Sequence, residues 1–311
     1  MRFAADRRWR LLGLVAAALV AVFVWRTFAA NWDQFRTAPL DLRLQPGWVV
    51  LAALLVWAMY ALLIAAWRGL LASWGRRLTR WEAARIWALS NLAKYVPGKV
   101  WAMAGMAVMA KQVGVEGWVA TGAAILMQIL AVGTGALVVA LAGTSALEAA
   151  HPGARVVVLL LALASAGGVG LVLWPPVASR LLREEGGSAI PAPGPVPLAL
   201  AILANLAAWV GYGVALWCLA RGVLGEGSLP LGPAIGVFAA SYLAGLLALF
   251  APGGLVVREA LFIVLLQPAL GLSGATALAV ASRLLLTLTE VGVALPFLGS
   301  RRSARAQSRD A

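Results

Sequence analysis

Apolar residues run along this chain in long blocks separated by short polar, arginine-bearing stretches. Six blocks, at 11–28, 48–67, 118–142, 155–174, 198–220 and 274–298, have the length of a membrane span. A hydrocarbon core of ~30 Å is crossed by ~20 apolar residues in a helix, so each block predicts one crossing. Many of the blocks begin or end at Trp, the residue that settles at head-group level. The first block follows Arg7, Arg8 and Arg10 and runs into Trp25 and Arg26 without a small-x-small cleavage pattern. It therefore reads as a retained helix rather than a signal peptide.

Two further apolar regions are broken. Region 81–110 divides at Pro97-Gly98 into arms of roughly 13 and 12 residues, each rising only ~20 Å at 1.5 Å per residue. Region 231–270 divides at Pro252-Gly253-Gly254. Proline lacks a backbone donor and glycine loosens the chain, so both hinges leave backbone groups unpaired. Such backbone survives at membrane depth only when buried in protein or lining a wet cavity. Both regions are therefore expected to be re-entrant hairpins, although the 20-residue first arm of the second is also long enough to span. The expected fold is all-α: a polytopic helical membrane bundle of about six spans plus two Pro-Gly-hinged hairpins.

Charge orients the bundle. With the N-terminus inside, five basic residues fall outside (Arg26, Arg36, Arg43, Arg155 and Arg221), four lie within apolar regions, and the other sixteen are cytoplasmic. The positive-inside bias thus places both termini in the cytoplasm of a cell (inner) membrane protein. The first hairpin then enters from the cytoplasm and the second from outside. The flanking units, 48–142 and 198–298, have opposite orientation, the layout of an inverted-topology repeat. A thin echo accompanies it: Ser90-Asn91-Leu92-Ala93 before one hinge and Ser241-Tyr242-Leu243-Ala244 before the other. The whole chain, 1–311, reads as one membrane domain. Segment 182–197, with Glu184, Glu185 and four prolines, is the expected cytoplasmic linker, and the Arg-rich 299–311 a disordered tail.

Composition agrees and removes several functions. The chain is 62% apolar and 12% charged, against ~45–50% and ~25% in soluble domains. Its net charge of +13 resides mostly beside apolar blocks, which favours anionic lipid over nucleic acid as the partner. One cysteine, Cys218, and one histidine, His151, provide neither a disulfide framework nor the usual zinc site. No P-loop, zincin motif, nucleophile elbow or dinucleotide loop occurs, so no cofactor and no catalytic centre are expected. Pro97-Gly98-Lys99 fails as a P-loop because Ala93 occupies the glycine position and Val100 follows the lysine.

The four intramembrane basic residues are Lys94, Lys99, Arg258 and Arg283, and Glu259 and Glu290 share their surroundings. A charge at membrane depth costs at least ~2.5 kcal/mol, so by default it marks function. Lys94 and Lys99 bracket the first hinge beside Asn91, and Arg258 and Glu259 open the arm after the second. Helix starts at the hinges would present free N–H groups to an anion. Asn91, Lys94, Lys99, Arg258, Glu259, Arg283 and Glu290 are therefore the expected substrate-binding set. Arg283, Thr287 and Glu290 share one helical face, as do Asn205 and Tyr212, and Gln128 adds a polar group; together they could line a path. The bland readings are snorkelling lysines, structural ion pairs of the arginines with Glu259 and Glu290, and amide glue from Asn205 and Gln128. Gly232 and Gly236, four apart, read as a close-packing face, and Cys218 as a small packing residue.

At the hinges the chain resembles a known family. Asn91 with Tyr95-Val96-Pro97-Gly98-Lys99-Val100-Trp101, and Pro252-Gly253-Gly254-Leu255-Val256-Val257-Arg258-Glu259-Ala260, are similar to the transmembrane region of lysylphosphatidylglycerol synthases. Stand-alone members are called flippase-like membrane proteins. The family's second motif usually reads Pro-Gly-Gly-(Leu/Ile)-Gly-x-Arg-Glu; Val256 departs from it and the charged pair does not. The resemblance runs from the second span to the last. It implies a domain that moves aminoacylated or otherwise modified phospholipid between leaflets. The soluble aminoacyl-transferase of full-length synthases is not expected in a chain that closes at Ala311. The partner implied is an anionic or zwitterionic lipid head group. The competing reading is a scaffold that presents a phospholipid or polyprenyl-phosphate substrate to a separate transferase. An intramembrane enzyme ranks last, for want of a nucleophile or metal cluster.

Overall fold

A computed structural model describes residues 44–93, 100–150, 193–247 and 257–298, with isolated positions between 153 and 167. The described residues are helical, with no strand. The predicted spans 11–28 and 155–174, most of the linker, the tail, His151, and the hinge residues Lys94, Pro97, Gly98, Lys99, Pro252, Gly253 and Gly254 lie outside or almost outside them.

Helix α1 (Pro46–Ser73) opens with proline in its first turn, where the missing N–H costs nothing. Helix α2 (Arg80–Leu92) starts on a capping box: Glu82 N–H donates to Thr79 Oγ1, and Thr79 N–H donates to Glu82 Oε2 at 2.8 Å. Helix α3 (Val100–Lys111) is the second short arm. Helix α4 (Gly117–Val138) runs through a π turn, Val139–Gly143, into α5 (Thr144–Ala150). Helix α6 (Pro195–Leu224) has 30 residues. It corrects the linker boundary. Pro195, Val196 and Pro197 form its first turn, which accepts proline because its N–H groups lack intrahelical partners.

Helix α7 (Leu231–Leu247) has 17 residues, a rise of about 25 Å, so over the described residues it falls short of a full crossing. Helix α8 (Val257–Leu298) is two helices across a kink at Gly271, whose φ of 66° is a left-handed conformation that glycine adopts without strain. Pro268 just before it lacks a backbone donor. The kink separates the predicted second arm from the last span. Among the described residues, four helical stretches have the length and apolar character to cross a membrane: Pro46–Ser73, Gly117–Gly143, Pro195–Leu224 and Val257–Leu298. A polytopic helical membrane protein is the fold.

The most extensive helix contact joins α1 to α6, and it is antiparallel. Gln45 N–H donates to Gly222 O at 2.9 Å at one end, Trp48 meets Trp217 edge-on at 5.7 Å, and Met59 packs on Gly211 further along. Arms α2 and α3 lie against each other, with Gly105 facing Ser90. Their outer ends are tied by an ion pair between Arg76, before α2, and Glu116, after α3. This pair of helices therefore leaves and rejoins one end of the bundle. The α7–α8 pair behaves likewise, because Gly274, just past the kink, lies near Leu224 at the end of α6. Since α1 and α6 are antiparallel, these two closures sit at opposite ends.

Crossed contacts complete the bundle. Helix α2 packs on the end of α8 through Ala88, Ala294 and Phe297, with Trp81 and Phe297 rings 4.5 Å apart. Helix α7 packs on α4 and its π turn, and there Gly236 meets Gly143 so closely that a β-carbon on Gly236 would overlap it. The expected close packing thus holds at Gly236 but not at Gly232, which has open space within 4 Å. Cys218 is buried in the α6 core, as expected.

Candidate functional site

The buried charges gather where α8 folds back at its kink against α1, α6 and α7. Arg258 stands in the first turn of α8 and Arg283 in its second half, 6% and 7% exposed, with Glu290 at 8%. Charges buried to this degree call for function or internal pairing. Arg283 Nη1 lies 3.4 Å from Glu259 Oε1, so the ion pair bridges the two halves of α8 across the kink. Arg258 Nη2 donates to Ser282 Oγ at 3.2 Å, a second tie between the same halves. The Arg258 guanidinium also sits 5.5 Å from the Phe238 ring centre and 5.4 Å from that of Tyr242, both on α7. Such cation–π contacts each contribute ~0.5–2 kcal/mol when shielded from water. Glu290 accepts from the Tyr60 hydroxyl at 2.6 Å, which links α8 to α1.

A column of aromatic rings connects these groups. Tyr60 meets Tyr212 edge-on at 6.2 Å, Tyr212 stacks on Phe238 at 5.4 Å, and Phe238 stacks on Tyr242 at 5.8 Å. Trp209 ends it, 5.7 Å from Tyr242. Ring faces thus cover the Arg258 guanidinium and a phenol hydroxyl meets Glu290, with the Arg283–Glu259 pair nearby in the bundle interior. Such a cluster can meet both a phosphate and an amine: planar guanidinium forks suit phosphate oxygens, and carboxylate with aromatic faces suits a cation.

The structure brings Arg258, Glu259, Arg283 and Glu290 together, all four from the expected set. Asn91 is half-buried in the last turn of α2 and makes no side-chain hydrogen bond to another described residue. Lys94 and Lys99 fall outside the described residues. Two proposed path residues move away. Gln128 is exposed on the outside of α4, and Asn205 turns to α4, donating Nδ2 to Ala201 O at 2.9 Å in its own helix and touching Met127 Sδ. Asn205 is therefore a buried polar contact of α6 with α4, and Tyr212, not Asn205, belongs to the charged centre. Thr287 is buried beside Arg283 and Glu290 on one face, as its spacing predicts. An ion pair of the kind expected between the arginines and the two acids is present: Arg283 pairs with Glu259, 24 residues apart, because the kink turns one half of α8 back on the other.

The sequence reading missed Tyr60, Phe238, Tyr242 and Ser282. A signal for the first was present. Trp57-Ala58-Met59-Tyr60 on α1 and Trp209-Val210-Gly211-Tyr212 on α6 repeat a Trp-x-x-Tyr pattern. The repeated residues do repeated work. Trp57 packs on Gly292 of α8 and donates Nε1 to Thr289 O, while Trp209 packs on Gly135 of α4 and donates Nε1 to Ala131 O, each at 3.1 Å. The two tyrosines meet each other, and so do Met59 and Gly211. The Ser-x-Leu-Ala echo is also realised in kind: Ser90 and Ser241 are both buried, with hydroxyls that find no partner among the described residues.

The family described as the lysylphosphatidylglycerol synthase TM region matches residues 11–290. The chain belongs to that family. The match takes in both hinges, every helix from α1 to α7 and the charged centre, so the resemblance seen at two short motifs extends over most of the protein. No curated protein matches the chain. Membership brings a membrane-embedded, lipid-related role, and within the family's span the charges of Arg258, Glu259, Arg283 and Glu290 make the most chemically equipped place among the described residues.

Proposed function

We propose that this protein is a lipid translocase that moves a phospholipid or lipid-linked head group between leaflets, and that it does so as an inner-membrane protein with cytoplasmic termini. The observation that carries the reading is the buried centre of Arg258, Arg283, Glu259 and Glu290 at the junction of two antiparallel halves. Arg258 and Arg283 would take the head-group phosphate, and Glu259 and Glu290 would meet an amine or balance the charge. Lys94, Lys99 and Asn91 at the first hinge would form the opposite lip of the path. Helices α1–α4 and α6–α8 are the two units of an inverted-topology repeat, each with a re-entrant hairpin. Support comes from the antiparallel α1–α6 contact, the hairpin closures at opposite ends, and the exchanged Trp57 and Trp209 hydrogen bonds. Units of that kind permit alternating access around a site near the membrane midplane.

The test is leaflet exchange in liposomes with labelled lipids of different head groups. Head-group-selective exchange that Arg258→Ala abolishes is the expected result. Absence of exchange for every lipid would reject translocation.

A second reading is favoured by the family itself, whose description is that of a synthase's membrane region. In it the centre holds a phospholipid or polyprenyl-phosphate substrate for a separate transferase and does not release it to the other leaflet. Co-purification of a transferase with a chain that exchanges no lipid would select it.

A further inference from the structure

At the far end of α1 from Gln45, a second basic site stands apart from the charged centre. Arg68, in the last two turns of α1, folds over the turn that leads to α2 and donates Nε to Leu78 O at 2.6 Å. That bond fixes the guanidinium and leaves its other N–H donors for use, since Arg carries five. Arg68, Ala72, Arg77 and Leu78 line a cavity of about 260 Å³. Neither Arg68 nor Arg77 has an acidic partner among the described residues, whereas the adjacent Arg76 is paired with Glu116. The one acid between 68 and 85, Glu82, is engaged in the capping box with Thr79, while five arginines fall in that stretch. Trp74 and Trp81 flank the turn, as indoles do at head-group level.

The geometry points to a binding site in this cavity for the phosphate of an anionic phospholipid head group, distinct from the charged centre around Arg258. The volume lies just below the ~300–1,000 Å³ of drug-sized pockets, which fits one small head group and not a folded ligand. Two uncompensated guanidiniums supply the planar donor geometry that phosphate oxygens take, and the long apolar helix α1 continues from the site as a surface for acyl chains. The site takes lipid at the membrane edge whatever the charged centre does, so it stands or falls independently of translocation.

The experiment is native mass spectrometry of the full chain in neutral micelles, titrated with short-chain phosphatidylglycerol, phosphatidylcholine or inorganic phosphate. The chain should retain phosphatidylglycerol in preference to phosphatidylcholine. Arg77→Gln should weaken that binding by about tenfold, the loss expected for one charge-assisted contact of ~1.5 kcal/mol. Arg68→Gln should do at least as much, but Arg68 also secures the turn through Leu78. Arg77, exposed and without such a bond, therefore carries the test. Arg76→Gln removes the same charge from the neighbouring position and should change binding by less than about twofold, its pairing with Glu116 being a surface ion pair. Equal weakening by Arg76→Gln and Arg77→Gln would reduce the effect to general surface attraction and overturn the proposal. Displacement of the lipid by inorganic phosphate would overturn the lipid as the source, and indifference to head group would overturn the site itself.

Discussion

Helices α4 and α8 each receive a tryptophan, from α6 and α1 respectively, yet only one of the two is charged. Each offers a glycine to the packed tryptophan, and each accepts that indole's hydrogen bond on a backbone carbonyl. From Gly117 to Val138, α4 does this without a single charged residue, while α8 carries Arg258, Glu259, Arg283 and Glu290. The packing problem is therefore solvable with neutral side chains. Charge at membrane depth costs at least ~2.5 kcal/mol per group on the lenient scale, and α4 shows that the fold does not demand it. The charges in α8 are therefore where the proposed function is assigned.

The comparison can be broken in several ways. Arg258→Ala should have the largest effect, reducing head-group-selective exchange at least tenfold, ~1.4 kcal/mol, because it removes the guanidinium that Phe238, Tyr242 and Ser282 hold in place. Arg258→Lys should recover only part of the rate, since an ammonium lacks the planar fork. Next comes Gly236→Ala, whose β-carbon would overlap Gly143 and should lower stability by ~1–3 kcal/mol, read as a fall in thermal midpoint in detergent. Gly232→Ala, with open space around it, should be neutral or gain up to ~1 kcal/mol.

Trp57→Phe and Trp209→Phe sharpen the comparison further. Trp57→Phe removes the indole bond to Thr289 O, and Trp209→Phe removes one N–H shared between Ala131 O and Thr134 Oγ1; each should cost about 1 kcal/mol. A large inequality between them would show that the halves do not share the load. The smallest effect concerns Cys218, which is buried on α6 and should resist maleimide labelling in intact membranes while the chain is folded.

Much of this was legible in the chain. The arms before and after Pro97-Gly98 were readable as 13 and 12 residues, and α2 and α3 have those lengths, because proline and glycine punctuate helices wherever they sit. A gap between region 231–270 and the last span, which starts at Gly274, was also readable, and the kink at Gly271 falls within it. Facing was not. Gln128 lies outside the bundle and Tyr60 inside it, and in a lipid-embedded helix both faces are apolar, so periodicity carries little information about direction. The Arg283–Glu259 pairing was hidden for a different reason, since only the folded kink brings residues 24 apart side by side. The Trp-x-x-Tyr repeat was present in the letters, but in a chain with 14 tryptophans one short recurrence does not stand out until both copies are seen making the same contact.

The most direct test of the central claim replaces charge while keeping shape. Glu259→Gln with Arg283→Gln in one chain removes an ion pair across the α8 kink, leaves net charge unchanged, and removes both partners together, which in buried pairs is often close to neutral for stability. Lipid exchange and thermal midpoint are measured on the same purified sample. The account predicts a folded protein whose midpoint moves by a few degrees and whose head-group-selective exchange falls to background. A chain that loses its fold would show that the charges of α8 serve the architecture, and one that keeps its fold and exchanges lipid at the original rate would show that transport does not use the pair.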